Sequence, residues 1–199
     1  MASRFSSPSK VVLLLGAGVL WLGCTGEDAP AAPTSNTGAS LSQLCDELCR
    51  KTMAACTTGA NLIYRSVEQC VQTCNKLEPG LEGTTTGNTI RCRIAEVNAG
   101  NCNGAGPLGG GKCGRVCDGF CRVSAASCKE LNPFTSEGTC VETCEGQIAF
   151  DPAAPQGAEQ PFNGRNTLNC RAQHLLLTFT EPGTRCAHLG VQSPPCSAP

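Results

Sequence analysis

Apolar and small side chains recur at helical spacing in the segment that begins at Ser40. They stand at positions 41, 44, 45, 48, 49, 52, 55 and 56 and form one stripe along about four helical turns. Capping-box patterns at Ser40 and Ser66, and a capping residue at Asn88, mark three helix starts before a Gly- and Pro-rich loop at residues 104–111. The second and third helices are predicted to carry Val67, Cys70, Val71, Cys74 and Leu77, and Ile90, Cys92, Ile94 and Val97.

The cysteines follow one pattern twice. Of the 17 cysteines, 16 follow position 40, and they divide into two sets with the same order of spacings: 45, 49, 56, 70, 74, 92, 102 and 113, then 117, 121, 128, 140, 144, 170, 186 and 196. We infer an internal duplication, with repeat 1 at residues 41–114 and repeat 2 at residues 115–199. The predicted fold is mainly α, small and disulfide-rich, with two tandem three-helix units.

Two CxxxC pairs in each repeat predict a helical hairpin stapled by disulfides. Two cysteines four residues apart are separated by about 6 Å along a helix, so pairs on antiparallel helices meet first with last. The predicted bridges are Cys45–Cys74, Cys49–Cys70, Cys117–Cys144 and Cys121–Cys140. Eight cysteines allow 105 pairings, and for the others we try first Cys56–Cys92, Cys102–Cys113, Cys128–Cys170 and Cys186–Cys196. The hairpin resembles that of the α-hairpinins, small plant defence peptides, and the resemblance implies topology, not activity.

The N-terminal segment has the pattern of an export signal. Arg4 and Lys10 precede an apolar stretch at residues 11–22, which is too short to span a membrane comfortably. The end of this stretch, Trp21-Leu22-Gly23-Cys24, resembles the lipobox of bacterial lipoproteins, although that family usually has Leu where Trp21 stands. The resemblance implies a signal peptide at residues 1–23 and attachment of palmitate-type lipid to Cys24. The alternative is an ordinary secretory signal with Cys24 as a spare thiol, which would leave an odd cysteine to explain.

The residues after the proposed anchor predict a tether and a compartment. Residues 24–40 contain no large apolar side chain and cannot order themselves by burial, so we expect a flexible linker. Thr25 is not Asp, and in enteric-type bacteria this favours passage to the outer membrane. Export to an oxidising compartment favours disulfides over the alternatives for the CxxxC pairs, a zinc site or a redox dithiol.

Charge and motifs exclude several function classes. The chain has 15 Lys and Arg against 16 Asp and Glu without a basic cluster, which argues against a nucleic acid partner. HExxH, GxSxG, CxxCH and phosphate-loop motifs are absent from the sequence. We therefore expect no catalysis and no cofactor.

Two histidines and a set of recurring arginines are the remaining candidates for a site. Segments 88–113 and 166–196 resemble a repeat of uncharacterised cysteine-rich lipoproteins of myxobacteria, whose pattern includes three histidines; the resemblance implies no established activity. The three positions are Glu96, Asn101 and Gly104 in repeat 1, and His174, Arg185 and His188 in repeat 2. The histidines either hydrogen-bond locally or bind copper or zinc. Arginines that directly follow a cysteine suggest capping or pairing with Asp46 and Asp118, or solvated surface: Arg50, Arg93, Arg122 and Arg171.

These observations leave three hypotheses of function. The leading one is a lipid-anchored module of the bacterial cell envelope that binds or packs against an envelope protein or polysaccharide, with the membrane contacted through the N-terminal lipid. The alternative is a metal-binding or electron-carrier protein that uses His174 and His188. An inhibitor or toxin-like module is the third, by analogy with the stapled hairpins.

Overall fold

The structure, a computed structural model, describes residues 38–157 and 165–196. The predicted signal peptide at residues 1–23, the proposed lipid attachment site at Cys24 and most of the tether lie outside these residues. Within the described part of the chain, no helix has the length and apolar character needed to cross a membrane.

The described residues form a mainly helical protein without a β-strand, as the sequence predicts. Each repeat contains three longer helices and one helix of four residues. Repeat 1 contains α1 (Leu41–Ala55), α2 (Val67–Cys74), α3 (Ile90–Asn98) and α4 (Cys102–Ala105). Repeat 2 contains α5 (Val116–Cys128), α6 (Glu137–Gln147), α7 (Leu168–Leu177) and α8 (Pro182–Arg185).

Short polar side chains start the helices, with one correction to the sequence prediction. Ser40 closes a full capping box with Gln43, and the Ser66 hydroxyl accepts from the Gln69 amide. The cap of α3 is Thr89, whose hydroxyl accepts from the Cys92 amide, so the assignment to Asn88 was wrong by one residue. Thr167 caps α7 in the same way.

Disulfides staple the first two helices of each repeat as predicted. Cys45–Cys74 and Cys49–Cys70 join α1 to α2, with Cα–Cα distances of 5.6 Å. Cys117–Cys144 and Cys121–Cys140 join α5 to α6 at 5.8 and 5.7 Å. First-with-last pairing on antiparallel helices thus holds in both copies.

The other four bridges differ from the first-choice pairing, which was wrong. The structure joins Cys56 to Cys102 and Cys92 to Cys113 in repeat 1. Repeat 2 repeats this arrangement with Cys128–Cys186 and Cys170–Cys196. In each repeat, one of these bridges therefore joins the end of the first helix to the segment of the four-residue helix. The other joins the third helix to the loop that follows the four-residue helix.

A buried arginine explains this pairing in repeat 1. Arg93 is fully buried, and its Nε and Nη2 donate to the carbonyl oxygens of Gly106 and Pro107, each at 2.9 Å. These hydrogen bonds hold the loop after α4 against the first turn of α3. Because Cys92 adjoins Arg93 and the same loop leads to Cys113, these two cysteines meet there.

Arg171 repeats the arrangement in the second copy. It is fully buried, and its guanidinium donates to the carbonyl oxygens of Thr167, Gly190 and Val191 at 2.9–3.1 Å. Its Nη2 also donates to Asn166 Oδ1 at 2.7 Å, as Arg93 donates to Asn88. Burial lowers the pKa of each guanidinium to about 10, so both stay charged at neutral pH.

The proposed pairing of the recurring arginines with Asp46 and Asp118 was wrong. Asp118 instead accepts from its neighbour Arg115 on the surface, at 2.8 Å. Arg122 forms ion pairs with Glu78 and Glu137. The structural role belongs to the arginines of α3 and α7, and main-chain oxygens rather than carboxylates satisfy them.

The repeats pack against each other, and one glycine marks the contact. All described residues belong to one compact unit, so two separate three-helix units are not confirmed. A Cβ atom on Gly119 in α5 would lie 2.5 Å from the carbonyl oxygen of Pro107 in repeat 1. Repeat 1 has Glu47 at the equivalent position, where its carboxylate forms an ion pair with Lys51. Gln69 of α2 also donates to the carbonyl oxygen of Leu176 at 2.8 Å.

We predict that Arg171→Met destabilises the protein strongly and that Arg50→Met does not. Removing the guanidinium deprives Gly190 O, Val191 O and Asn166 Oδ1 of the donor shown for each and leaves Thr167 O only the main-chain amide of residue 171, which should lower the free energy of unfolding by about 3–5 kcal/mol. Arg50 also follows a cysteine directly but is exposed, so its substitution should change that free energy by less than about 0.5 kcal/mol. Guanidinium chloride denaturation with the disulfides intact measures both, and equal effects would contradict the assignment.

Candidate functional site

The two histidines lie together at one end of repeat 2. His174 is in α7, which Thr167 caps. His188 is in a short 3-10 helix, Cys186–Leu189, that directly follows α8. The Cys128–Cys186 disulfide ties this segment to α5, so its position against α7 is covalently fixed.

Hydrogen-bond distances link the histidines to Arg185 and Glu181. The Nδ1 atoms of His174 and His188 are 3.2 Å apart, and their rings meet edge to face with centroids 4.6 Å apart. Arg185 Nη1 lies 3.3 Å from His174 Nδ1, and Arg185 Nη2 forms an ion pair with Glu181 at 2.8 Å. A guanidinium can only donate, so the network assigns His174 Nδ1 as the acceptor and its ring proton to Nε2.

Burial and positively charged neighbours keep the imidazoles of His174 and His188 neutral. His174 is 1% exposed. Its pKa falls to about 4 because of desolvation first, and then because of His188, Arg185 and Arg171. Burial and Arg185 also lower the pKa of His188. Both imidazoles are therefore neutral at pH 7, which is the form that binds metals and accepts hydrogen bonds.

The three positions suggested by the myxobacterial resemblance come together in both repeats. In repeat 1, Asn101 Nδ2 donates to Glu96 Oε2 at 2.5 Å. A Cβ atom on Gly104 would lie 2.7 Å from the Glu96 side chain. Glu96 and Asn101 thus stand where His174 and Arg185 stand in repeat 2, and Gly104 stands where His188 does. The two repeats thus share the geometry of these three positions and differ in their chemistry.

His174 also lies beside a disulfide, a feature that the sequence analysis did not single out. Cys170 precedes it by one helical turn on α7 and is bonded to Cys196. One ligand atom from each of Cys170, His174 and Cys196 lies within 4.8 Å of the others. The spacing of Cys170 and His174, four residues apart on one helix, was the signal that could have revealed it.

Two cavities lie away from the histidine pair. One, of about 430 Å³, lies between the repeats and is lined by Gln69, Gln72, Leu176, Phe179 and Glu181 among others. The second, of about 390 Å³, lies within repeat 2 and is lined by Phe134, Thr139, Thr143 and Val191 among others. All 16 cysteines within the described ranges are in disulfides, so none of these offers a thiol nucleophile.

Comparison with protein families, with curated proteins and with solved structures found no match. The fold defines the class, a small disulfide-rich α protein, and function has to be inferred from the side chains themselves.

We predict that His174→Gln makes folding less sensitive to acid. The folded-state pKa is about 4, against an ordinary value of 6.5, so between these values the unfolded chain binds a proton that the folded protein does not. Stability is complete above about pH 6.5 and falls as the pH drops towards about 4, by at most about 3 kcal/mol and less where water reaches the ring.

Denaturation of both proteins from pH 7.5 to 4 measures this difference. Carboxylates titrate in both proteins and cancel when the two curves are subtracted. Curves that run parallel over this range would contradict the role given to His174.

Proposed function

We propose that the protein is a lipid-anchored, non-catalytic module of the bacterial cell envelope that presents a rigid surface to an envelope protein or polysaccharide. The observation that carries the proposal is covalent and polar bracing throughout the described residues. Eight disulfides join their helices and loops. Arg93 and Arg171 hold the loops at Gly106 and Pro107 and at Gly190 and Val191, which lie between bridged cysteines.

Complete pairing of the described cysteines supports an oxidising compartment. Disulfides of this density are found in exported proteins and are rare where glutathione and thioredoxin keep thiols reduced. Pairing of sixteen cysteines also leaves Cys24 as the odd one of 17. An odd thiol is accounted for if Cys24 carries lipid, and several acyl chains on one residue give stable anchoring.

All 16 cysteines within the described ranges are in disulfides, so the bracing extends through both repeats. The cavity of about 430 Å³ between the repeats belongs to the surface that such bracing holds in place. Its walls come from both copies, so the rigid contact between the repeats maintains its shape.

We predict that Cys24→Ser abolishes lipid attachment but not envelope association. In native cells fed a palmitate analogue, the wild-type protein and a Thr25→Ser control should be labelled, and Cys24→Ser should not. After detergent removal of lipids, oxidised Cys24→Ser should still sediment with insoluble envelope material. Protein that has been reduced and alkylated should not, because the presented surface depends on the disulfides.

Each arm of this experiment tests a different part of the proposal. Label that persists in Cys24→Ser would exclude that residue as the anchor. Equal sedimentation of the oxidised and the reduced protein, or sedimentation of neither, would exclude a disulfide-braced binding surface.

A second candidate function is metal binding or electron transfer at His174 and His188. The observation in its favour is the Nδ1–Nδ1 distance of 3.2 Å. Two imidazoles on one tetrahedral zinc ion, with Zn–N bonds of about 2.0–2.1 Å, have nitrogens roughly 3.3 Å apart. The guanidinium of Arg185 opposes it, since a positive charge already lies 3.3 Å from His174 Nδ1.

We predict that Arg185→Gln increases the zinc affinity of the oxidised protein at least about tenfold, because it removes that charge while keeping a polar side chain. Isothermal titration against wild-type protein measures the gain, and Arg50→Gln, at an exposed position in repeat 1, is the charge-matched control. Adding His188→Gln to Arg185→Gln should abolish the gain. Absence of a gain, or a gain that survives the loss of His188, would refute a site at this pair.

A further inference from the structure

The two repeats differ in the side chain that lies beside the disulfide of the third helix. We call the region formed by Cys170, His174 and Cys196 the α7 corner. In repeat 2, Cys170 and His174 are one helical turn apart, and ligand atoms of Cys170, His174 and Cys196 all lie within 4.8 Å of one another. In repeat 1, the equivalent bridge is Cys92–Cys113. The residue one turn after Cys92 is Glu96, and its carboxylate is held by Asn101.

Sulfur and imidazole in this arrangement are the ligand set of a zinc site. Zinc binds thiolate at about 2.3 Å and imidazole nitrogen at about 2.0–2.1 Å, which places neighbouring ligands of a tetrahedral ion roughly 3.3–3.8 Å apart. The three atoms are within 4.8 Å already, and once the bond between Cys170 and Cys196 is broken, rotation of their side chains can separate the sulfurs. His188 adds a further imidazole beside His174.

We propose that opening the Cys170–Cys196 disulfide converts this corner into a zinc site formed by two thiolates and the His174 imidazole. A dithiol reductant supplies two electrons and two protons: the S–S bond breaks, two thiols form and the reductant becomes a disulfide. Zinc then binds both sulfurs and releases their two protons to solvent. The site depends neither on the lipid anchor nor on metal binding by the oxidised histidine pair.

Thermodynamic linkage makes the site selective among the bridges. Zinc that binds only the reduced form lowers its free energy and therefore favours opening of that bridge. Ligand atoms of Cys170, His174 and Cys196 lie within 4.8 Å of one another, whereas repeat 1 has Glu96, which accepts a hydrogen bond from Asn101, in place of the imidazole. Burial does not distinguish the two bridges, because their four cysteines are all at most 1% exposed, so the imidazole makes the difference.

The test compares the two equivalent bridges in one protein. Full-length protein is equilibrated in redox buffers of a dithiol and its disulfide of increasing reducing strength, without zinc or at one fixed free zinc concentration, over the range in which both bridges open. It is then quenched in acid, freed from zinc by a chelator in denaturant and alkylated, and mass spectrometry gives the opened fraction of each bridge. Zinc should increase the opening of Cys170–Cys196 relative to Cys92–Cys113 at least about tenfold.

Variants at the equivalent positions 174 and 96 decide the role of the imidazole. His174→Gln should open as readily as wild type without zinc and lose the zinc response. Glu96→His should confer the same response on Cys92–Cys113. Cobalt in place of zinc should give thiolate-to-cobalt charge-transfer absorption in the reduced wild-type protein.

An unchanged ratio with zinc, or the same zinc response in His174→Gln, would overturn the proposal. If His174→Gln does not fold, Glu96→His decides, and its failure to respond overturns the proposal equally.

Discussion

The structure depends on two guanidinium groups that are buried without a carboxylate partner. Taking such a charge out of water is expensive unless every donor is satisfied. Arg93 and Arg171 donate to an asparagine side chain, to a main-chain carbonyl at the start of their own helix and to carbonyls of a loop more than ten residues further on. That requirement fixes where the loop runs. The loop in turn brings the last cysteine of each repeat to the one that precedes the arginine, so polar satisfaction determines the covalent pairing.

Local patterns were enough to predict the parts of the fold that depend on helical periodicity. The stripe of α1, the caps at Ser40 and Ser66 and the four bridges of the stapled hairpins all follow from spacing along one or two helices. The partners of Cys56 and of Cys92, which are Cys102 and Cys113, could not be predicted in this way. They depend on the path of an irregular Gly-rich loop. The signal was present in the recurrence of Arg93 and Arg171, but a charged residue after a cysteine gives no indication that it is buried. In the sequence, Glu96, Asn101 and Gly104 and their counterparts in repeat 2 stood out only as matches to the myxobacterial pattern. The fold shows that the three positions of each repeat lie together.

Duplication allows one copy to change while the other keeps the framework. The buried arginine, its asparagine partner and all four bridges are the same in both repeats, since any change there would undo the loop. The three positions occupied by Glu96, Asn101 and Gly104 in repeat 1 lie outside this shared set of interactions and differ between the repeats. Repeat 1 fills them with a carboxylate and an amide that satisfy each other, and a glycine whose missing side chain makes room for Glu96. Repeat 2 fills them with two imidazoles and an ion pair. The divergence therefore lies where the two copies have no common structural requirement.

Covalent bracing and ligand chemistry use the same atoms in repeat 2. A cysteine in a disulfide cannot bind zinc as a thiolate, so the oxidised protein gains rigidity from Cys170–Cys196 and gives up a metal site there. The seven other bridges and Arg171 still hold the surrounding helices when that one bond is open, because Arg171 binds the loop at Gly190 and Val191 independently of the disulfide. Opening therefore leaves the loop attached at Gly190 and Val191, five residues before Cys196. Repeat 1 has the same loop held by its arginine but has Glu96 in place of His174, so the side chain one helical turn after the cysteine is the difference that bears on the zinc site.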